Sequence, residues 1–92
     1  MYLLVAYDVV KDRRRRKLQK GVEGWLHGVQ KSVFEGYLKP TDLPKLLRAV
    51  ADHIDPATDS LRVYPLCETC RRAGRLFGVA EPVPDPEAPV FV

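Results

Sequence analysis

Ninety-two residues, 46% of them hydrophobic, make one small domain and exclude a disordered chain. The net charge of +3 is modest, so any preference for phosphate partners must come from where the cations cluster. Two cysteines exclude a disulfide framework. No apolar stretch reaches the roughly 20 residues that span a bilayer, and the chain opens on a strand-like run without a basic leader. These features predict a cytoplasmic protein with reduced thiols and no membrane partner.

Residues 2–9 read as a strand rich in aromatic and β-branched side chains. Leu3, Val5, Tyr7 and Val9 share one face, and Tyr2, Leu4, Ala6 and Asp8 the other. Both faces are largely apolar, which marks a central strand. From Lys11 to Leu26 the period changes, with Leu18, Val22, Trp25 and Leu26 at helical spacing. Asp12 suits an N-cap or a first-turn acid.

Residues 29–38 return to a strand, in which Gly36 marks a bulge or a close backbone approach. Lys39-Pro40-Thr41-Asp42 is a turn and helix start. Leu43, Leu46, Leu47, Val50 and Ile54 form a second amphipathic stripe, closed by Asp55-Pro56. Residues 60–66 are a further strand. Residues 67–81 predict a short helix or turn and then a short strand near Leu76 to Val79. The last stretch carries four prolines and ends in the apolar triplet Val90-Phe91-Val92, suited to add a strand to a sheet.

The pattern is α+β, with helices on one face of a mostly antiparallel sheet, compatible with a ferredoxin-like βαββαβ sandwich. A strict βαββαβ repeat requires the run 29–38 to be bent or split. The expected organisation is a ferredoxin-like domain at 1–80 and a proline-rich C-terminal extension at 81–92.

Asp8, at the end of the first strand, is the candidate catalytic residue and metal ligand. Mg²⁺ takes one or two carboxylates plus waters, so one Asp per chain is half a site. Two chains meeting about a two-fold axis near Asp8 supply two. Its plainer role is to cap the following helix. Arg13, Arg14, Arg15, Arg16 and Lys17 are the candidate nucleic-acid contacts, because Arg favours bidentate phosphate binding. Four consecutive arginines on a helix point in all directions, so about two serve any one ligand. A solvated helix face explains them equally well.

Cys67-x-x-Cys70 is half of a zinc site, which a dimer could complete, or simply two thiols in a turn; a thioredoxin-like redox role lacks the expected βαβ context. His27 and His53 lack partners at ligand spacing and suit helix ends. Trp25, Phe34, Tyr37 and Tyr64 suit packing better than base stacking.

The strand ending in YDV, the helix start DRRRRKL, the run VQKSVFEGYL and the strand DSLRVYPL together resemble the CRISPR-associated protein two family. The resemblance covers about residues 1–80 in the family's order. It implies a ferredoxin-like fold and a homodimer that acts with the integrase, CRISPR-associated protein one, in spacer acquisition. It further implies Mg²⁺-dependent endonuclease activity on RNA or DNA, with Asp8 as the ligand shared across the dimer. It implies phosphate or interface contacts for Arg13 to Arg16 and Ser32 to Glu35, and a C-terminal strand that pairs with the partner's sheet. The alternative is a non-catalytic clamp that holds duplex DNA for the integrase.

Overall fold

The computed structural model describes residues 1–84. In chain order it contains β1 (Tyr2–Asp8), α1 (Asp12–Glu23), β2 (His27–Gln30), β3 (Val33–Tyr37), a 3-10 turn (Pro40–Asp42), α2 (Leu43–Ala51), β4 (Ser60–Leu66) and α3 (Glu68–Arg72). Up to β4 this is the βαββαβ order. The strands pair antiparallel in the order β2-β3-β1-β4, which is the ferredoxin-like sheet. β1 is central, as its two apolar faces predict.

The run 29–38 is indeed split. Lys31 and Ser32 form a turn between β2 and β3, and the Ser32 carbonyl accepts the Tyr7 N–H at 3.1 Å. A bulge between Gly28 and Gln30 shifts the β2–β3 register. Gly36 is the close approach instead. A Cβ there would meet Leu26 Cδ2 at 3.3 Å and His27 Cδ2 at 3.4 Å. β4 tolerates Pro65 because, among the described residues, it is an edge strand with one neighbour.

The alternation in β1 sorts the two faces. Leu3, Val5, Tyr7 and Val9 are buried and pack with Leu18 and Val22 of α1, Phe34 of β3 and Leu46 and Val50 of α2. These apolar stripes are what hold both helices to one side of the sheet. On the other side, Leu4, Ala6, Val33, Glu35 and Tyr37 are half-buried and Asp8, Ser60, Arg62 and Tyr64 are exposed. The far end of that face is covered by α3: Arg71 lies 5.7 Å from the Tyr2 ring centroid and 5.4 Å from that of Tyr37.

One expected element does not form. Leu76 to Val79 is not a strand. Gly78 has φ 67, and the Ala80 N–H closes a turn on the Phe77 carbonyl at 3.3 Å. A left-handed residue in mid-run breaks the extended path. Both main helices are also shorter than their apolar stripes: α1 stops at Glu23 and α2 at Ala51. The predicted strand at Val90-Phe91-Val92 lies outside the described residues. Among the described residues, no helix is long and apolar enough to cross a membrane.

Candidate active site and cationic helix face

Asp8 closes β1 on the side of the sheet opposite α1 and α2. Its register partner is Ser60, and Ala6 pairs with Arg62. With these residues Asp8 lines a shallow depression of about 150 Å³. The carboxylate is exposed and makes no side-chain hydrogen bond or ion pair among the described residues, so it does not cap α1. The residue that precedes α1 is Lys11, with extended backbone and no side-chain cap, and Asp12 is the acid of the first turn.

An exposed carboxylate on an open, partly polar face is a donor suited to Mg²⁺, which accepts one or two carboxylates with water filling the rest. Among the described residues no group of three or more His, Cys, Asp or Glu side chains converges. Among those residues, one chain therefore offers no three-ligand site of its own.

The five cations that follow are divided by helix geometry. Leu18 and Val22 bury one side of α1. Arg13, Arg16 and Lys17 stand three and four residues apart, so they share a face, which Lys20 extends. All four are exposed and make no side-chain hydrogen bond or ion pair among the described residues. Arg14 and Arg15 turn back to the protein. Arg14 Nε donates to Asp59 Oδ2 at 3.0 Å and its Nη2 to Asp59 Oδ1 at 3.2 Å. Arg15 Nη1 donates to the Val9 carbonyl at 3.0 Å and pairs with Asp12.

Asp59 is the residue sequence reasoning missed. Its side chain is fully shielded, and its carboxylate also accepts the backbone N–H of Val10 at 3.0 Å and of Asp55 at 2.9 Å. It thus ties the loop after Asp8, the loop before β4 and the first turns of α1 into one unit. The Val10 N–H, then those of Asp55 and the donors Arg14 and Thr58, hold its pKa down to about 2. The unfolded carboxyl titrates near 3.8, so the native state favours the ionised form. The stability this confers is complete above the unfolded value and is lost as pH falls toward about 2. Acid unfolding followed by circular dichroism is expected to show it. The stability gap between wild type and Asp59→Asn should narrow through that window, and a constant gap would contradict it.

Arg62 and Ser60 were also missed. The alternation in Ser60-Leu61-Arg62-Val63-Tyr64 was the available signal for an outward face carrying a cation beside the acid.

The family model described as CRISPR associated protein Cas2 matches residues 1–73. The chain belongs to the Cas2 family. It is 44% identical over 78 residues to CRISPR-associated endoribonuclease Cas2 2 of Synechocystis sp., covering 84% of each chain. It is 33% identical over 86 residues to CRISPR-associated endoribonuclease Cas2 3 of Chloroflexus aurantiacus, covering 94% of this chain and 92% of that one. Among solved structures, Streptococcus pyogenes Cas2 superposes with a TM-score of 0.73 at 31% identity, over 85% of this chain and 100% of that one. The Cas2 match ends just past α3, so among the described residues it spans all four strands and both packed helices.

Proposed function

We propose that this chain is a Mg²⁺-dependent endoribonuclease that works as a homodimer, alongside the CRISPR-associated protein one integrase in spacer acquisition. The observation that carries the nuclease reading is the exposed Asp8 carboxylate at the end of the central strand, on the face opposite α1 and α2. A second copy laid against that face covers Leu4, Ala6, Val33 and Tyr64 and brings two Asp8 side chains toward one axis. Family membership, with relatives named as endoribonucleases, supports RNA as the substrate.

Magnesium, when bound, supplies charge stabilisation at the phosphate under attack. The chain's own residues do the rest. Paired Asp8 carboxylates provide the oxygen donors. Arg13, Arg16 and Lys17 hold the flanking backbone phosphates, and Asp59 fixes the loop that spaces them from Asp8.

The test is cleavage of matched single-stranded RNA and duplex DNA by purified protein, with Mg²⁺ and with a chelator, alongside sedimentation. RNA cleavage that requires Mg²⁺, from a particle of dimer mass, is the expected outcome. RNA left intact with Mg²⁺ present, or cut equally with chelator, would sink the nuclease reading.

A second reading, the non-catalytic duplex-DNA clamp, is favoured by the absence, among the described residues, of any group of three or more His, Cys, Asp or Glu side chains that could hold a metal ion. It keeps the cationic face and the dimer. It requires DNA binding that is sequence-independent, falls steeply with salt and is unchanged in Asp8→Asn.

A further inference from the structure

Cys67 and Cys70 have no part in the nuclease reading. Cys67 follows the last residue of β4 with extended backbone, φ −70 and ψ 160, and Cys70 lies one turn on, inside α3. Both thiols are free and exposed. Cys67 Sγ accepts the Cys70 backbone N–H at 3.3 Å, so the first sulfur is already folded over the turn that carries the second. Residues three apart in a helical turn have Cα atoms about 5 Å apart, inside the roughly 4.4–6.8 Å range that a disulfide accepts.

The turn is anchored from outside. Glu68 accepts the Tyr37 hydroxyl at 3.1 Å and Arg71 Nε at 2.7 Å. Bridging the cysteines therefore adds a covalent link inside a segment already held against the sheet. Cys67 also lines an open groove of about 810 Å³ together with Tyr2, Trp25, Tyr37 and Leu66, which leaves room for a small disulfide to approach its sulfur.

We propose that Cys67 and Cys70 form a reversible dithiol–disulfide site that exchanges with low-molecular-weight disulfides. The Cys67 thiolate attacks one sulfur of the small disulfide, forms a mixed disulfide and expels one thiolate, which takes up a proton. Cys70 then loses its proton to solvent and attacks Cys67 Sγ, expelling the second small thiol. Two protein thiols are oxidised to one disulfide, and one small disulfide is reduced to two thiols. The hydrogen bonds divide the labour. Donation from the Cys70 N–H and thiol pushes the Cys67 thiol down, while the bond to Cys67 and the neighbouring charge push Cys70 up. Cys67 is the attacking group and Cys70 the resolving one.

The test treats reduced protein with oxidised glutathione at graded ratios to the reduced form, quenches with an alkylating agent and reads the products by mass spectrometry. Wild type is expected to lose both alkylatable thiols together, as a monomer lighter by two hydrogens and without a glutathione adduct. Cys70→Ser should stop at one adduct on Cys67. Cys67→Ser should form its adduct roughly tenfold more slowly at neutral pH. Both positions are exposed, so both variants should keep the wild-type circular dichroism spectrum. Independent alkylation of the two thiols, adducts at equal rates in both variants, or a bridge between two copies on a non-reducing gel would each overturn the proposal. The outcome does not depend on whether the protein cuts RNA.

Discussion

Asp8→Asn is expected to lower Mg²⁺-dependent RNA cleavage by at least roughly a hundredfold, because a neutral amide is a poor donor for a hard cation and the lost ligand supported transition-state charge. The fold should be untouched. Asp8 is exposed, its side chain makes no hydrogen bond or ion pair among the described residues, and Asn is nearly isosteric, so thermal melting should match wild type. Initial rates on end-labelled RNA over a range of Mg²⁺ concentrations measure the effect. Equal rates would mean that another group, or a contaminating nuclease, does the cutting. A mixing experiment separates one acid from two. If both carboxylates are needed, an equal mixture of wild-type and variant chains, exchanged to equilibrium, should retain about a quarter of the wild-type rate, against about half if each acts alone. The half-rate outcome would leave Asp8 as a ligand but remove the shared site.

The sheet was readable to the extent that its information is local. β1 shows its burial in its alternation, and the stripes Leu18–Val22 and Leu46–Val50 show which sides of α1 and α2 face it. The division of 29–38 into two strands was harder to read, since Lys31 and Ser32 carry no glycine or proline to announce a turn. The error at 76–79 has the opposite cause. Leu76, Phe77 and Val79 have strand composition, but nothing in Leu-Phe-Gly-Val declares that Gly78 takes positive φ. Asp59 was illegible for another reason. Its partners Val10 and Arg14 lie 49 and 45 residues away, and no local pattern couples an acid before one strand to a cation after another. Asp8 stood out because a charge ends an apolar run. Its environment, with Ser60 opposite and Arg62 beside it, needed the β1–β4 register.

The arginine run shows what the helix adds to the sequence, and it carries the second large effect. In one dimension Arg13 to Lys17 is a single block of charge. In three, Arg14 and Arg15 are held by Asp59 and by Val9 and Asp12, whereas Arg13, Arg16 and Lys17 face solvent together. On the proposed reading, replacing those three with Ala would remove up to six phosphate contacts from the dimer. The slope of log affinity against log salt for single-stranded RNA should become shallower by roughly four, with affinity near ~0.1 M salt down on the order of a hundredfold. Melting should hardly change, because exposed cations contribute little to stability. Arg14→Ala should behave in reverse. The salt slope stays at the wild-type value, while the melting temperature falls by a few degrees as the shielded Asp59 carboxylate loses its counter-charge. Arg14→Lys should recover only part of that loss, since an ammonium cannot span both carboxylate oxygens and Thr58 as the guanidinium does. Binding titrations at several salt concentrations, run beside thermal melts, test both halves. A salt slope that shifts equally in the triple variant and in Arg14→Ala would show that the whole run meets the phosphates and that helix rotation does not sort it.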